Sequence, residues 1–276
     1  MPRIDEIFAS VRSINYKALM PFVCGGFPKP GMLGDVLRAC EEGGASIVEI
    51  GIPFSDPIAD GPVIATAMHD ALQQGVTPRS IFDEVAAARD KVGVGIVAMV
   101  SVSIVHRMGG PTGFAKQAKD AGFDGLIVPD APLEESTALR DAARVNALSL
   151  SLLIAPSTPR ERALQIAQAS TGFIYMLARA GITGDNAPTG DGPGGQSQQL
   201  PDIGRRVAAL REVTNLPIAA GFGIATKEHV AAVTKYADAA IVGSALVRHM
   251  RQTAQAGKFV PHEVRSFVRN LAEGLA

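Results

Sequence analysis

The sequence predicts a (β/α)8 barrel with an extra N-terminal helix and extra helices after strands two and eight. Three observations lead there. Eight short apolar runs alternate with amphipathic segments, the order of a parallel sheet with helices outside. The 276 residues match the ~250 that such a barrel uses as one unit. Glycine-rich turns follow the last two runs, where these barrels hold anions. The chain therefore reads as one domain, residues 1–276, with an open doubly wound sheet as the competing arrangement.

In chain order, a helical pattern over Arg3–Ile14 comes first, placed to plug the N-terminal end of the barrel. The strands are Ala18–Cys24, Ser46–Gly51, Gly95–Val100, Gly125–Val128, Leu148–Ile154, Phe173–Leu177, Pro217–Ala220 and Ala239–Val242. Each is a short apolar run bounded by turn residues. The helical patterns between them cover Gly31–Glu42, Pro78–Val92, Gly113–Ala121, Glu134–Asn146, Pro159–Ala169, Asp202–Val213 and Lys227–Tyr236. An extra helix, Val63–Gln74, follows the Pro-rich loop 52–62. Gly243-Ser244-Ala245-Leu246 opens a helix after strand eight, and Val260–Leu275 closes the chain. Gly184–Gln199 is too rich in Gly and polar residues to order itself. A long loop in a compact domain reads as an active-site lid, drawn here as a flexible segment over residues 179–200.

Formal net charge is -1, which gives no electrostatic case for nucleic acid or an anionic membrane. No apolar run approaches the ~20 residues of a membrane span. The N-terminus carries acids and has no apolar signal core. Cys24 and Cys40, the two cysteines, suit buried positions in a cytoplasmic protein. The histidines lack metal-ligand spacing, so no metal is expected.

Ser46–Pro62 is the most informative stretch. Apolar neighbours flank one carboxylate, Glu49, inside a predicted strand. An ionised carboxylate there is costly unless it is paired or has a task. Period-two alternation puts Ile47, Glu49 and Gly51 on the inner face, with Glu49 near the C-terminal end where barrel active sites lie. Asp60 follows on the loop as its candidate partner, with a helix cap as the plainer reading. Asp56 reads equally as a turn residue. Asp130, ending strand four, leans toward the site. Tyr175 lies on the bulky face of strand six and reads as a core aromatic or as a hydroxyl near the acids. Gly221-Phe222-Gly223 and Gly243-Ser244 stand where a phosphate would meet backbone N–H groups and a helix N-terminus. Gly181 and Gly184 extend the same cradle, with Arg179 as a weaker counter-ion candidate. A phosphate-anchored substrate beside a carboxylate pair means acid–base chemistry of the lyase, isomerase or aldolase type. No strand-core lysine is present for a Schiff base.

The motifs Glu49–Pro62, Gly125–Ser136, Ala180–Gly184, Gly221–Ile224 and Gly243–Ala245 resemble the α subunit of tryptophan synthase, from about Phe8 to the C-terminus. That family has a (β/α)8 barrel and cleaves indole-3-glycerol phosphate to indole and glyceraldehyde 3-phosphate. The resemblance implies that Glu49 is the general acid–base, that Asp60 pairs with the indole N–H, and that Tyr175 is a site tyrosine. It implies that Phe22 lines the indole pocket, that Thr183 is the lid threonine, and that Gly184, Gly223, Gly243 and Ser244 hold the phosphate. It places Ser55, Asp56 and Pro57 at the contact with a β subunit in an α2β2 assembly. No cofactor is implied in this chain, and pyridoxal phosphate is implied in the β partner. A free-standing lyase and a weakly catalytic activating subunit are the alternatives, with an epimerase or histidine-pathway isomerase more distant. The chain departs from the family in three places. Gly26-Phe27-Pro28 replaces Gly-Asp-Pro, and Ser101-Val102-Ser103-Ile104 replaces Tyr-x-Asn-Pro. Ala178 and Ala180 flank Arg179, where small hydroxyl residues are common, and the lid is longer.

Overall fold

The computed structural model describes residues 1–57, 60–177, 195–221 and 223–275, with backbone alone for 195–202. Among them lie nine strands: β1 (Ala18–Cys24), β2 (Ile47–Gly51), β3 (Gly95–Met99), β4 (Gly125–Ile127), β5 (Ser149–Leu150), β6 (Leu153–Ile154), β7 (Ile174–Leu177), β8 (Ile218–Gly221) and β9 (Ala239–Val242). They form one parallel sheet in the order β5-β4-β3-β2-β1-β9-β8-β7-β6. The count exceeds eight because the predicted fifth strand is divided in two. Its N–H groups at Ser149 and Ser151 donate to Asp124 and Leu126, on the β4 side. Its carbonyls at Leu150 and Leu152 accept from Thr171 and Tyr175, on the β7 side. One continuous segment thus joins both ends of the sheet and closes the barrel.

The helices are α1 (Arg3–Ser13), α2 (Leu33–Glu42), α3 (Pro62–Gln73), α4 (Pro78–Arg89), α5 (Val102–Arg107), α6 (Gly110–Ala121), α7 (Thr137–Val145), α8 (Arg160–Ala169), α9 (Gly195–Arg211), α10 (Lys227–Thr234), α11 (Ser244–Gln255) and α12 (Val260–Ala272). Two differ from the sequence expectation. α5 was not anticipated, and α9 starts at Gly195, so residues 195–200 of the expected lid are helical. Gln196, Gln198, Gln199 and Leu200 are good helix formers, which offsets the glycine-rich stretch before them. The rest of that segment, with Arg179, Thr183 and Gly184, lies outside the described residues. No helix among the described residues is long and apolar enough to cross a membrane.

Two apolar layers follow from strand alternation. Leu19, Val48, Ile50, Ile96, Ala98 and Leu126 face the helices. Ala18, Met20, Ile47, Val97, Phe173 and Tyr175 face the barrel axis, and α1 adds Ile4 and Phe8 to that inner cluster. The Phe8 ring lies 5.9 Å from that of Phe173, so α1 does plug the N-terminal end. Two carboxylates brace the same end. Asp124 accepts from the Ile96 N–H at 2.9 Å and from Arg89 at 3.1 Å. Asp238 accepts from the Ile218 N–H at 2.8 Å, from Arg12 at 3.3 Å and from Arg211. In both, one arginine comes from the end of the helix before the strand that is capped, α4 before β3 and α9 before β8.

Candidate active site

The opposite end of the barrel collects the chemistry. Glu49 is in register with Phe22 of β1 and Val97 of β3, and Val97 faces the axis. Glu49 is fully buried, and neither carboxylate oxygen has a hydrogen-bond partner among the described residues. Burial pushes its pKa well above the ordinary carboxyl value. Tyr175 shares this space. Its hydroxyl is held far from ionisation by burial first, then by the nearby charges of Glu49 and Asp60. Small residues on β8 make room for it, and a Cβ on Gly221 would stand 3.4 Å from the Tyr175 Oη.

Asp60 comes from the loop after β2. Its N–H donates to Pro57 O at 3.0 Å, and Gly61 rather than Asp60 is the N-cap of α3. No side-chain capping bond forms there, so the helix-cap reading of Asp60 falls away. Burial pushes its carboxyl pKa up to about 6. It lines a small cavity of about 40 Å³ with Phe54, Met68, Met99 and Ser101. Ser55 and Asp56 are exposed on the same loop, tied by a 2.8 Å bond from the Ser55 hydroxyl to Asp56 Oδ2. Outside this loop a wider opening of about 710 Å³ runs between Pro53–Ser55 and Ile104–Met108.

Phe22 is buried, and glycine at position 51 is what admits its ring. A Cβ on Gly51 would lie 2.4 Å from Phe22 Cζ and 3.3 Å from Met68 Cε. The same phenylalanine reaches the anion end, because a Cβ on Gly243 would meet Ile64 Cδ1 at 3.7 Å and Phe22 Cβ at 3.8 Å. Gly243 is the N-cap of α11. The first N–H groups of a helix have no intrahelical acceptor, and the Ser244 hydroxyl is buried without a partner among the described residues. Together they make a neutral cradle with a favourable dipole for an anion. Gly223, two residues beyond β8, has φ +64 with open space beside it, a conformation that suits glycine.

The structure therefore brings together Glu49, Tyr175, Asp60 and Phe22 with Gly243 and Ser244. Asp130 lines the same small cavity as Asp60, with its carboxylate engaged. It accepts from the Ser101 hydroxyl at 2.7 Å and the Val102 N–H at 2.8 Å, fixing the head of α5. Met68, Met99 and Ile64 were not foreseen, since apolar residues carry no signal that separates a pocket wall from the core. Cys24 is buried, and its thiol pKa is raised by burial, then by Asp60 and Asp70, so it remains a protonated, unreactive group.

A sequence model of the family described as "Tryptophan synthase alpha chain" matches residues 8–276. The tryptophan synthase alpha chain of Halorhodospira halophila is 38% identical over 275 residues, covering 100% of this chain and 97% of the relative. The crystal structure of tryptophan synthase subunit alpha from Legionella pneumophila superposes with a TM-score of 0.87 at 28% identity, over 100% of this chain and 98% of that one. A chain of Mycobacterium tuberculosis tryptophan synthase gives a TM-score of 0.86 at 32% identity, over 99% and 98%. This chain belongs to the tryptophan synthase alpha chain family, whose reaction is the lyase cleavage of indole-3-glycerol phosphate.

Proposed function

We propose that Glu49, Asp60 and Tyr175 carry that cleavage here, with the phosphate held at Gly223, Gly243 and Ser244. The observation that carries this reading is the isolation of Glu49, wholly buried with both oxygens unpartnered among the described residues. With its pKa raised, Glu49 starts protonated and gives its proton to the indole C3. Positive charge then develops on the ring nitrogen, whose N–H donates to the Asp60 carboxylate. The C3 to glyceryl carbon bond breaks, and its electron pair returns to the ring. Glu49, now a carboxylate, takes the proton of the glyceryl hydroxyl as the aldehyde forms. Asp60, at about 6, is mostly ionised at neutral pH and answers the ring charge. The Tyr175 hydroxyl, kept neutral, donates to the reacting oxygen or to Glu49. Glu49 makes both proton transfers and Asp60 balances the ring charge, and the reading places no cofactor in this chain.

We further propose a β subunit as partner in an α2β2 assembly, docked over the Ser55–Pro57 loop, exposed at Ser55 and Asp56, in the cytoplasm, with pyridoxal phosphate on the β side. The likeness to chains of tryptophan synthase structures supports a β partner. Indole release from indole-3-glycerol phosphate, with and without a β subunit, tests both parts. Slow release that rises with β is expected. Fast release indifferent to β would mean a free-standing lyase, and wild-type turnover in Glu49→Gln would reject the catalytic assignment.

A further inference from the structure

Phe27, which replaces an acid of the family pattern, is buried in the loop after β1. The Arg251 guanidinium covers it, with Cζ 4.9 Å from the ring centroid. Arg251 Nη1 also pairs with Asp70 Oδ2 at 2.7 Å. Gln74 Nε2 donates to Pro28 O at 3.2 Å, so the same loop is held a second time by the residue after α3. Arg251 Nη2 is buried with no partner among the described residues. A planar guanidinium satisfies stacking and an ion pair at once, which an ammonium cannot.

The three groups belong to three parts of the site. Asp70 is on α3, whose first turn follows Asp60. Arg251 is on α11, whose first turn is the Gly243–Ser244 cradle. Phe27 lies just beyond β1, which carries Phe22. α3 and α11 pack on each other and both touch β1. The Cys24 thiol between them feels Asp60, Asp70 and Arg251 together.

We propose that Arg251 is a positioning residue that locks α3 onto α11, so that the Asp70–Arg251–Phe27 stack sets the placement of Asp60 relative to the anion cradle. An anion seated on α11 then orders the ring end through this lock, and each ligand strengthens the other reciprocally. The proposal rests on the reading that the cradle takes phosphate and that Asp60 meets the indole ring.

The test is calorimetric titration of the full chain with inorganic phosphate and indole, singly and together. In the wild type each ligand should tighten the other by ~5-fold or more. In Arg251→Met each ligand alone should bind within about threefold of wild type, while the mutual enhancement falls to about onefold. Arg251→Lys, which keeps the ion pair but not the planar stack, should restore part of it. Should Arg251→Met not fold, Asp70→Asn must lower the enhancement in the same direction. Enhancement absent from the wild type, or undiminished in both Arg251→Met and Asp70→Asn, overturns the lock. No phosphate binding by the wild type would overturn the underlying site reading as well, and so is told apart.

Discussion

The two ends of this barrel treat a buried carboxylate in opposite ways. At the N-terminal end, Asp124 and Asp238 each meet a strand N–H and at least one arginine. At the C-terminal end, among the described residues, Glu49 meets no donor and the Asp60 carboxylate forms no hydrogen bond. Burial would raise Asp238, but the Ile218 N–H and the Arg211 and Arg12 guanidiniums together hold it below the ordinary value. Asp124 braces backbone in the same way, but burial still raises it over the opposing Ile96 N–H and Arg89, so Asp238 alone of the pair is held below the ordinary value. Nothing opposes burial at Glu49 or Asp60, and both are raised. An unsatisfied carboxylate holds a proton it can give away.

The largest expected effect breaks the unsatisfied end. Glu49→Gln keeps the shape and removes the transferable proton, so kcat should fall ~1,000-fold. Chemical denaturation should show stability unchanged or raised, because a buried unpaired acid has been removed. Asp238→Ala is the converse. It strands two arginines and a backbone N–H, and unfolding free energy should drop by about 3 kcal/mol while the pH profile of turnover keeps its shape.

The pH dependence sharpens the contrast by its sign. Asp60 sits at about 6 in the folded chain, against an ordinary 3.8. Its protonated form is favoured by folding, so this residue's contribution is full below the ordinary value and is lost as pH rises to about 6. Asp238 is lowered, so its contribution is full above 3.8 and is lost as pH falls through the lowered value. Unfolding of Asp60→Asn, followed across this range, should therefore gain on wild type as pH rises toward 6 and stay level above it. The acid limb of kcat/KM should fall near the same pH, with a flat profile there counting against Asp60 as the charged partner of the ring. The smallest effect is at the cradle. Ser244→Ala should raise KM about fivefold with little change in kcat, since one neutral donor is lost from binding alone.

Much of this was legible in the chain because both faces of each strand are buried, so strands read as apolar runs and Glu49 stands out against them. The divided fifth strand was not legible. Ser149–Ile154 has one unbroken pattern, and only the pairing partners change along it. α5 was hidden because it is only six residues long; its cap, Ser101, is local, but the Asp130 carboxylate that reinforces it comes from far along the chain, and Asp130 itself was indistinguishable from a reacting acid by sequence position. Phe27 was legible as a departure but not as a contact. Its partners lie on α3 and α11, and no local rule connects them.

The closing segment at β5 and β6 has a consequence for motion. Two register pairs hold it to β4, Gly125–Ser149 and Leu126–Leu150, and two hold it to β7, Leu153–Tyr175 and Ile154–Met176. The β2–β3 border, by contrast, runs through five pairs. A closed ring of strands opens first at its shortest border, so the amide protons of Ser151 and Tyr175 should exchange with solvent ahead of those in β2 and β3. Tyr175 would then be the site residue that reports the breathing of the whole barrel.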